Sequence, residues 1–580
     1  MRTGAPSPGV RTSATAPDTP EMGEPRRMLS FRAASASIVG VAAVVASAAI
    51  LHAARGTSFY FDEWWFITRR RDASFDDFMR PNVGHLIAVP VAVYKFFFET
   101  FGLGSYRPYL VVLVALHVAT CVLLYVYLRR RAHVLYAVVA TIVLLFLGYA
   151  WQDLAWAFQM TYLFSTVGGL GALLLLDRRD RRGDVGAMLA IAFAIASGGV
   201  GLVFAAGALV ELAWTRASWR RLWVPVAPLL LFAVWYVAYG DSEGQLDNLT
   251  RAPQFITDAA GSAAGAIVGT TVGFGRVVAA VLAIVIIVGV VRAWPISARF
   301  AAAVAMLGGF WVLLSYSRAS GVHSSGSESR YAYIGALLLL LAGGELLRTR
   351  PWPRRVPAWL AVAGGVVLLA ALTHTVWANL DALENGAAAL RTAATIDKAR
   401  YSALVLAQPH AGRDVVLTFT GIRSGELLPA IEELDYTVFT RDELLARPEW
   451  QRVWADNTLL AVLGAKLRAY DPGRPIADVL RVSGIDGAEL ARDGGCATVT
   501  PTGGAGKLSL DGDAVALRIE ALGDAPVDVT ARSVADVFHD PPFGQVSPGA
   551  TRMLVLRPSN IAPWTVRLSS SGPMRVCGLA

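Results

Sequence analysis

The chain carries nearly uncharged stretches of spanning length at 33–54, 109–128, 133–150, 156–176, 221–239, 262–291, 299–316, 331–347 and 357–378. Roughly twenty apolar residues cross a bilayer as a helix, and in hydrocarbon every backbone N–H and C=O has to be satisfied within the chain. A helix is therefore the structure open to each stretch. One more apolar stretch, 185–214, is broken at Ser197-Gly198-Gly199 and reads as two short helices meeting at the outer face. Together they predict a polytopic α-helical membrane protein of about 11 transmembrane helices. Composition agrees: 17% of the residues are charged, against about a quarter in a soluble domain, and 55% are hydrophobic.

Arginine decides how the spans alternate. Arg26, Arg27 and Arg32 and the basic blocks at 129–131, 178–182, 216–221, 292–299 and 348–355 all fall on one side in this scheme. The positive-inside rule assigns that side to the cytoplasm. These blocks account for most of the net charge of +8, and no basic segment has the interleaved aromatics of a single-strand nucleic-acid binder. Residues 84–103 look apolar enough to span, but a span there would put Arg129–Arg131 on the opposite side. They are expected instead as an amphipathic juxtamembrane helix with Lys95 and Glu99 on its wet side. The expected organisation is a disordered cytoplasmic tail (1–32) and a transmembrane domain (33–380) in which 55–108 form one external loop with juxtamembrane helices.

Beyond residue 380 the chain is expected outside. An α/β linker region (381–490) would contain a helix near 380–410, a strand at Asp414–Phe419 and helices within 424–470. Residues 491–580 alternate with period two between Gly, Pro and Asp punctuation, the pattern of an antiparallel β-sandwich. Cys496 and Cys577, near its start and end, suit one disulfide in an exported domain, whereas Cys121 lies in an apolar run. Trp450, Trp454 and Trp564 read as core rather than as a carbohydrate platform.

Phe61-Asp62-Glu63-Trp64-Trp65-Phe66 sets two adjacent carboxylates among aromatics just past the first span. Such a pair is costly unless it meets water, a cation or a substrate. The bland alternative is that the acids cap a loop or pair with Arg69–Arg71. A first external loop with an acidic pair resembles the GT-C superfamily of polyprenyl-phosphate-sugar glycosyltransferases, and Phe61-Asp62-Glu63 followed by Phe66 is similar to the Phe-Asp-Glu motif of the protein O-mannosyltransferases. Gly84-His85-Leu86 with Pro90 stands where those enzymes open a juxtamembrane helix with His-Pro-Pro-Leu; Phe101-Gly102-Leu103 and Tyr106-Arg107-Pro108 follow in the family's order. The motif likeness covers 59–131, and the architectural likeness 33–380.

The resemblance implies a glycosyl transfer in which Asp62 takes the acceptor's proton, with Glu63 and His85 shaping the site. It also implies that arginine holds the departing phosphate: Arg330, with Tyr331, in the loop before the tenth span, and Arg318 or Arg107 beside it. Trp64, Trp151, Trp156 and Gln159 are candidate sugar contacts, the tryptophans equally an interfacial belt. His117, inside a span, suits an interhelical hydrogen bond. His323 could approach a divalent cation, but no cluster has ligand spacing, so no metal and no cofactor is assigned. The implied partners are the lipid-linked sugar donor, an envelope glycan, lipid or protein acceptor, and the membrane, with no nucleic acid. A transporter or flippase would carry ionisable residues at mid-membrane, which the spans nearly lack; a non-catalytic scaffold would not need so many spans.

Overall fold

A computed structural model of the chain describes residues 24–71, 74–241, 245–292, 296–320, 325–348, 357–417, 421–538 and 540–580. Helix α1 (Glu24–Ala53) leads into three short helices, α2 (Asp62–Arg69), α3 (Phe75–Met79) and α4 (Ala88–Phe101). The bundle continues with α5 (Arg107–Arg129), α6 (Val134–Leu145), α7 (Trp151–Ala155), α8 (Met160–Leu176), α9 (Arg181–Ile195), α10 (Val200–Ala213) and α11 (Trp223–Tyr239). It closes with α12 (Ala252–Val268), α13 (Val272–Arg292), α14 (Ala298–Arg318), α15 (Ser329–Arg348) and α16 (Ala358–Leu406). Among the described residues, seven helices are long and apolar enough to cross a membrane: α1, α5, α8, α13, α14, α15 and α16. Helices α6 and α7 make an eighth if they are one span bent by 41°. Helices α10 and α11 are apolar but shorter. The chain is thus a polytopic helical membrane protein with a C-terminal β region.

Several expectations are corrected. Residues 24–32 are helical rather than tail, while 1–23 lie outside the described residues. The stretch 262–291 is two helices, because Gly269 ends α12 in the left-handed conformation (φ 72°) and α13 starts anew. The turn just before α12 anchors to α14, Asn248 donating to the Tyr316 carbonyl at 2.8 Å, and the end of α12 meets α16, the Asn379 amide donating to the Ala266 carbonyl at 3.0 Å. Lys95 of α4 does not face water: it is buried, 3.9 Å from Asp77 and 5.4 Å from the Phe78 ring centroid, whereas Glu99 is exposed. Asp77 draws it inward, since a buried ammonium needs a counter-charge.

The arginine blocks meet at one end of the bundle. Asp177, closing α8, pairs with Arg131 of the α5–α6 turn (2.6 Å) and Arg299 of α14 (2.8 Å). Arg131 also reaches Glu345 of α15 at 3.0 Å, Arg299 reaches Glu211 of α10 at 2.7 Å, and Arg221 pairs with Asp184 of α9. The loop carrying Asp62 and Glu63 lies at the opposite end. Midway, His117 bonds the Tyr333 hydroxyl (2.8 Å) and the Leu145 carbonyl (3.2 Å), joining α5, α15 and α6.

Helix α16 runs unbroken for 49 residues, straight through the expected boundary at 380. Helices α17 (Ser424–Glu433), α18 (Arg441–Leu445) and α19 (Glu449–Val462) follow. The expected strand at 414–419 is only an isolated bridge, Val416 to Arg423, with Thr418 and Phe419 outside the described residues. Strands β1 (Leu467–Ala469), β2 (Val482–Asp486) and β3 (Ala488–Asp493) start the sandwich earlier than residue 491. Then come β4 (Cys496–Pro501), β5 (Gly506–Gly512), β6 (Val515–Ala521), β7 (Val527–Arg532), β8 (Gly544–Val546), β9 (Thr551–Leu556), β10 (Trp564–Ser570) and β11 (Met574–Gly578). One sheet has the order β1-β9-β6-β11-β4-β3 and the other β2-β5-β10-β7-β8, with every pairing antiparallel. The Cys496–Cys577 disulfide joins directly opposed residues of β4 and β11. Trp564 is core, but Trp450 and Trp454 are 43% and 40% exposed, four residues apart on one face of α19.

Candidate functional site

The two adjacent acids face different surroundings. Helix α2 opens with both in its first turn, where the helix dipole favours negative charge. Glu63 points inward and is fully buried. Its carboxylate accepts from the Tyr94 hydroxyl (2.6 Å), the Tyr106 hydroxyl (2.9 Å) and the Tyr60 backbone N–H (2.9 Å). Burial pushes its pKa up to about 7, against these hydrogen bonds, which favour the charged form. Glu63 therefore braces the loop from behind. Asp62 points the other way, into a cavity. Phe61 before it takes a positive φ of 50°, a strained conformation for an aromatic residue, and its N–H is held by the Asp397 carboxylate of α16. The arginines after α2 are engaged elsewhere: Arg69 with Glu426, Arg71 with Glu433, and Arg70 with the carbonyls of Asp77, Arg80 and Pro81.

The cavity has a volume of about 850 Å³, within the usual range for ligand sites. Asp62, His85, Gln159, Arg318, Arg330 and Tyr331, which lie far apart in sequence, all line it. Arg330 sits at the start of α15, its backbone N–H bonded to the Gln152 amide oxygen at 3.1 Å and its guanidinium 5.2 Å from the Tyr331 ring centroid. The cavity lining thus offers both a carboxylate and guanidinium groups. Such a pairing suits a substrate that has a hydroxyl to deprotonate and an anionic group to hold.

His85 is delivered by a tight turn. Asn82 and His85 exchange backbone hydrogen bonds of 3.0 Å in both directions, with Val83 at φ 50° and Gly84 at φ 72° between them. A β-branched residue at positive φ is strained, and here it aims His85 at the break between α9 and α10. A Cβ on Gly199 would come within 2.9 Å of the imidazole. Burial, aided by the charge of Arg318, lowers the His85 pKa to about 4, so the ring is neutral at physiological pH.

A small pocket of about 30 Å³ adjoins the cavity between α10 and α14. It shares His85, Tyr162, Ser317 and Arg318 with the cavity and continues past Val200, Val203, Phe310, Leu313 and Leu314.

Other candidates lie away from the cavity. Trp64 is core, its ring against Tyr401 and Tyr436 and its N–H on the Phe59 carbonyl at 3.3 Å. Trp156 is buried, stacked on Phe158 and tilted against Phe61, so it supports the Asp62 loop from the side. Trp151 lines a separate pocket with Tyr149 and Glu328, and Arg107 is exposed at the start of α5. His323 lies outside the described residues, among which no three His, Cys, Asp or Glu gather as metal ligands. Asp241, Gln245 and Asn82 line the cavity without having been singled out. Asp241 follows the apolar run of α11 directly, as Asp62 follows that of α1 by a short loop, and that shared position was the available signal. Comparison with protein-family models, curated proteins and solved structures returns no match.

Proposed function

We propose that this chain is a glycosyltransferase of the GT-C kind, moving a sugar from a polyprenyl-phosphate donor to a hydroxyl of an envelope glycan, lipid or protein. The observation that carries the reading is the convergence of Asp62, His85, Arg318 and Arg330 on one cavity. In this reading Asp62 takes the proton of the acceptor hydroxyl as its oxygen bonds to the anomeric carbon. The bond from that carbon to the phosphate oxygen breaks, and Arg330 and Arg318 hold the released polyprenyl phosphate. Neutral His85 serves as a hydrogen-bond partner to substrate. Helices α9, α10 and α11 act as short spans, which with α6–α7 taken as one gives eleven, and the arginine end is cytoplasmic. Chemistry then takes place on the outer face of the cytoplasmic membrane.

The test is transfer of radiolabelled sugar from a panel of polyprenyl-phosphate donors by membranes holding matched amounts of wild type, Asp62→Asn or Arg330→Ala. Wild type should transfer from one donor, and Asp62→Asn should lose at least about a hundredfold. Arg330→Ala should lose activity mainly through donor use. Undiminished transfer by Asp62→Asn would sink the assignment.

A further inference from the structure

A second cavity, of about 320 Å³, lies where the first external loop meets α16 and the segment after α17. It shares no lining residue with the Asp62 cavity. Its cations are Lys398 of α16 and Arg447 after α18, which approach the Phe439 ring, each 4.7 Å from its centroid. Among the described residues Lys398 Nζ makes no hydrogen bond and no ion pair; the acid that acts on its charge, Glu443, already caps α18 through the Thr440 N–H at 2.8 Å. The Arg447 guanidinium makes one hydrogen bond among the described residues, Nε donating to the Gln451 amide oxygen at 2.7 Å. The remaining wall is rich in hydroxyls: Thr57, Ser58, Thr395 and Thr437. The Thr57 hydroxyl is buried and lacks a hydrogen-bond partner. Lys398 and Arg447 act on each other as like charges, and an anion between them would offset that repulsion.

We propose that this cavity binds a polyhydroxylated anion, a sugar bearing a phosphate or a carboxylate. The cations fit the anionic group, the hydroxyls fit the sugar's own, and the volume lies within the range of ligand sites. The site does not depend on which reaction the Asp62 cavity performs.

The test uses the detergent-purified full chain and isothermal titration calorimetry with glucose 1-phosphate, glucuronate, glucose and inorganic phosphate. Arg318→Ala/Arg330→Ala serves as background, to remove binding in the other cavity. In that background glucose 1-phosphate, glucuronate or both should still bind, and which of them binds names the anionic group. Adding Lys398→Gln/Arg447→Gln should weaken binding at least about tenfold without moving the melting temperature, as removal of charge-assisted hydrogen bonds would. Thr437→Trp, which fills the cavity while keeping both cations, should do the same. Unchanged affinity in either variant, absence of binding in the background, or equal affinity for glucose or inorganic phosphate would overturn the proposal.

Discussion

Neighbouring carboxylates on one helical turn can have opposite tasks when one faces a cavity and the other a cage of hydroxyls. Glu63 keeps its proton to about pH 7 in the folded protein but releases it near 4.5 when exposed. Because the folded state then binds more protons than the unfolded one, the stabilising effect is complete below pH 4.5 and is lost as the pH rises to about 7. A shift of this size corresponds to about 3 kcal/mol. Glu63→Gln should remove this slope, so that its melting temperature falls less than that of wild type between pH 4.5 and 7. Parallel melting curves would show that Glu63 does not titrate there. None of this was legible in the Asp-Glu pair itself, since the tyrosines that form the cage stand 31 and 43 residues away. Lys95 shows the same limit: local pattern put it on the wet face, and Asp77 pulled it inside.

At the scale of elements, the break between α9 and α10 leaves room for a side chain from another loop. Gly199 has an ordinary φ of −59°, so alanine there costs the backbone nothing, yet its Cβ would meet the His85 ring. Gly199→Ala should therefore displace His85 and lower transfer roughly tenfold while the melting temperature stays within a few degrees. Full activity in this variant would show that the position of His85 does not matter to the reaction. The break was legible because Ser-Gly-Gly interrupts an apolar run. The one between α12 and α13 was not, because a single Gly269 followed by two threonines hardly lowers the hydropathy of the stretch. The long apolar helices were readable for the opposite reason: hydropathy is a local property. Of the site, the residues lying next to span ends were readable, but which of them face the cavity depends on side-chain direction, and Trp64 and Arg107 illustrate the failures.

For the whole molecule, α16 is the member that couples the bundle to the C-terminal region. At 1.5 Å per residue its 49 residues measure about 74 Å. The first part exposes Trp359, Val362, Val366, Val367 and Leu369 to its surroundings, while further along Asn379 meets α12, Arg391 bonds the Ala53 carbonyl at the end of α1, and Asp397 holds the N–H of Phe61. An unbroken helix attached in this way acts as a lever. A bilayer whose thickness does not match the apolar part tilts it, and the tilt arrives at the residue next to Asp62. Turnover should accordingly differ between vesicles of short-chain and long-chain phosphatidylcholine. Glu384→Pro, which puts a kink between the two halves, should make the rates in the two lipids converge. Equal sensitivity in both proteins would mean that thickness acts elsewhere. If the lever works, the fatty acids with which a cell builds its membrane become a setting for how fast this protein runs.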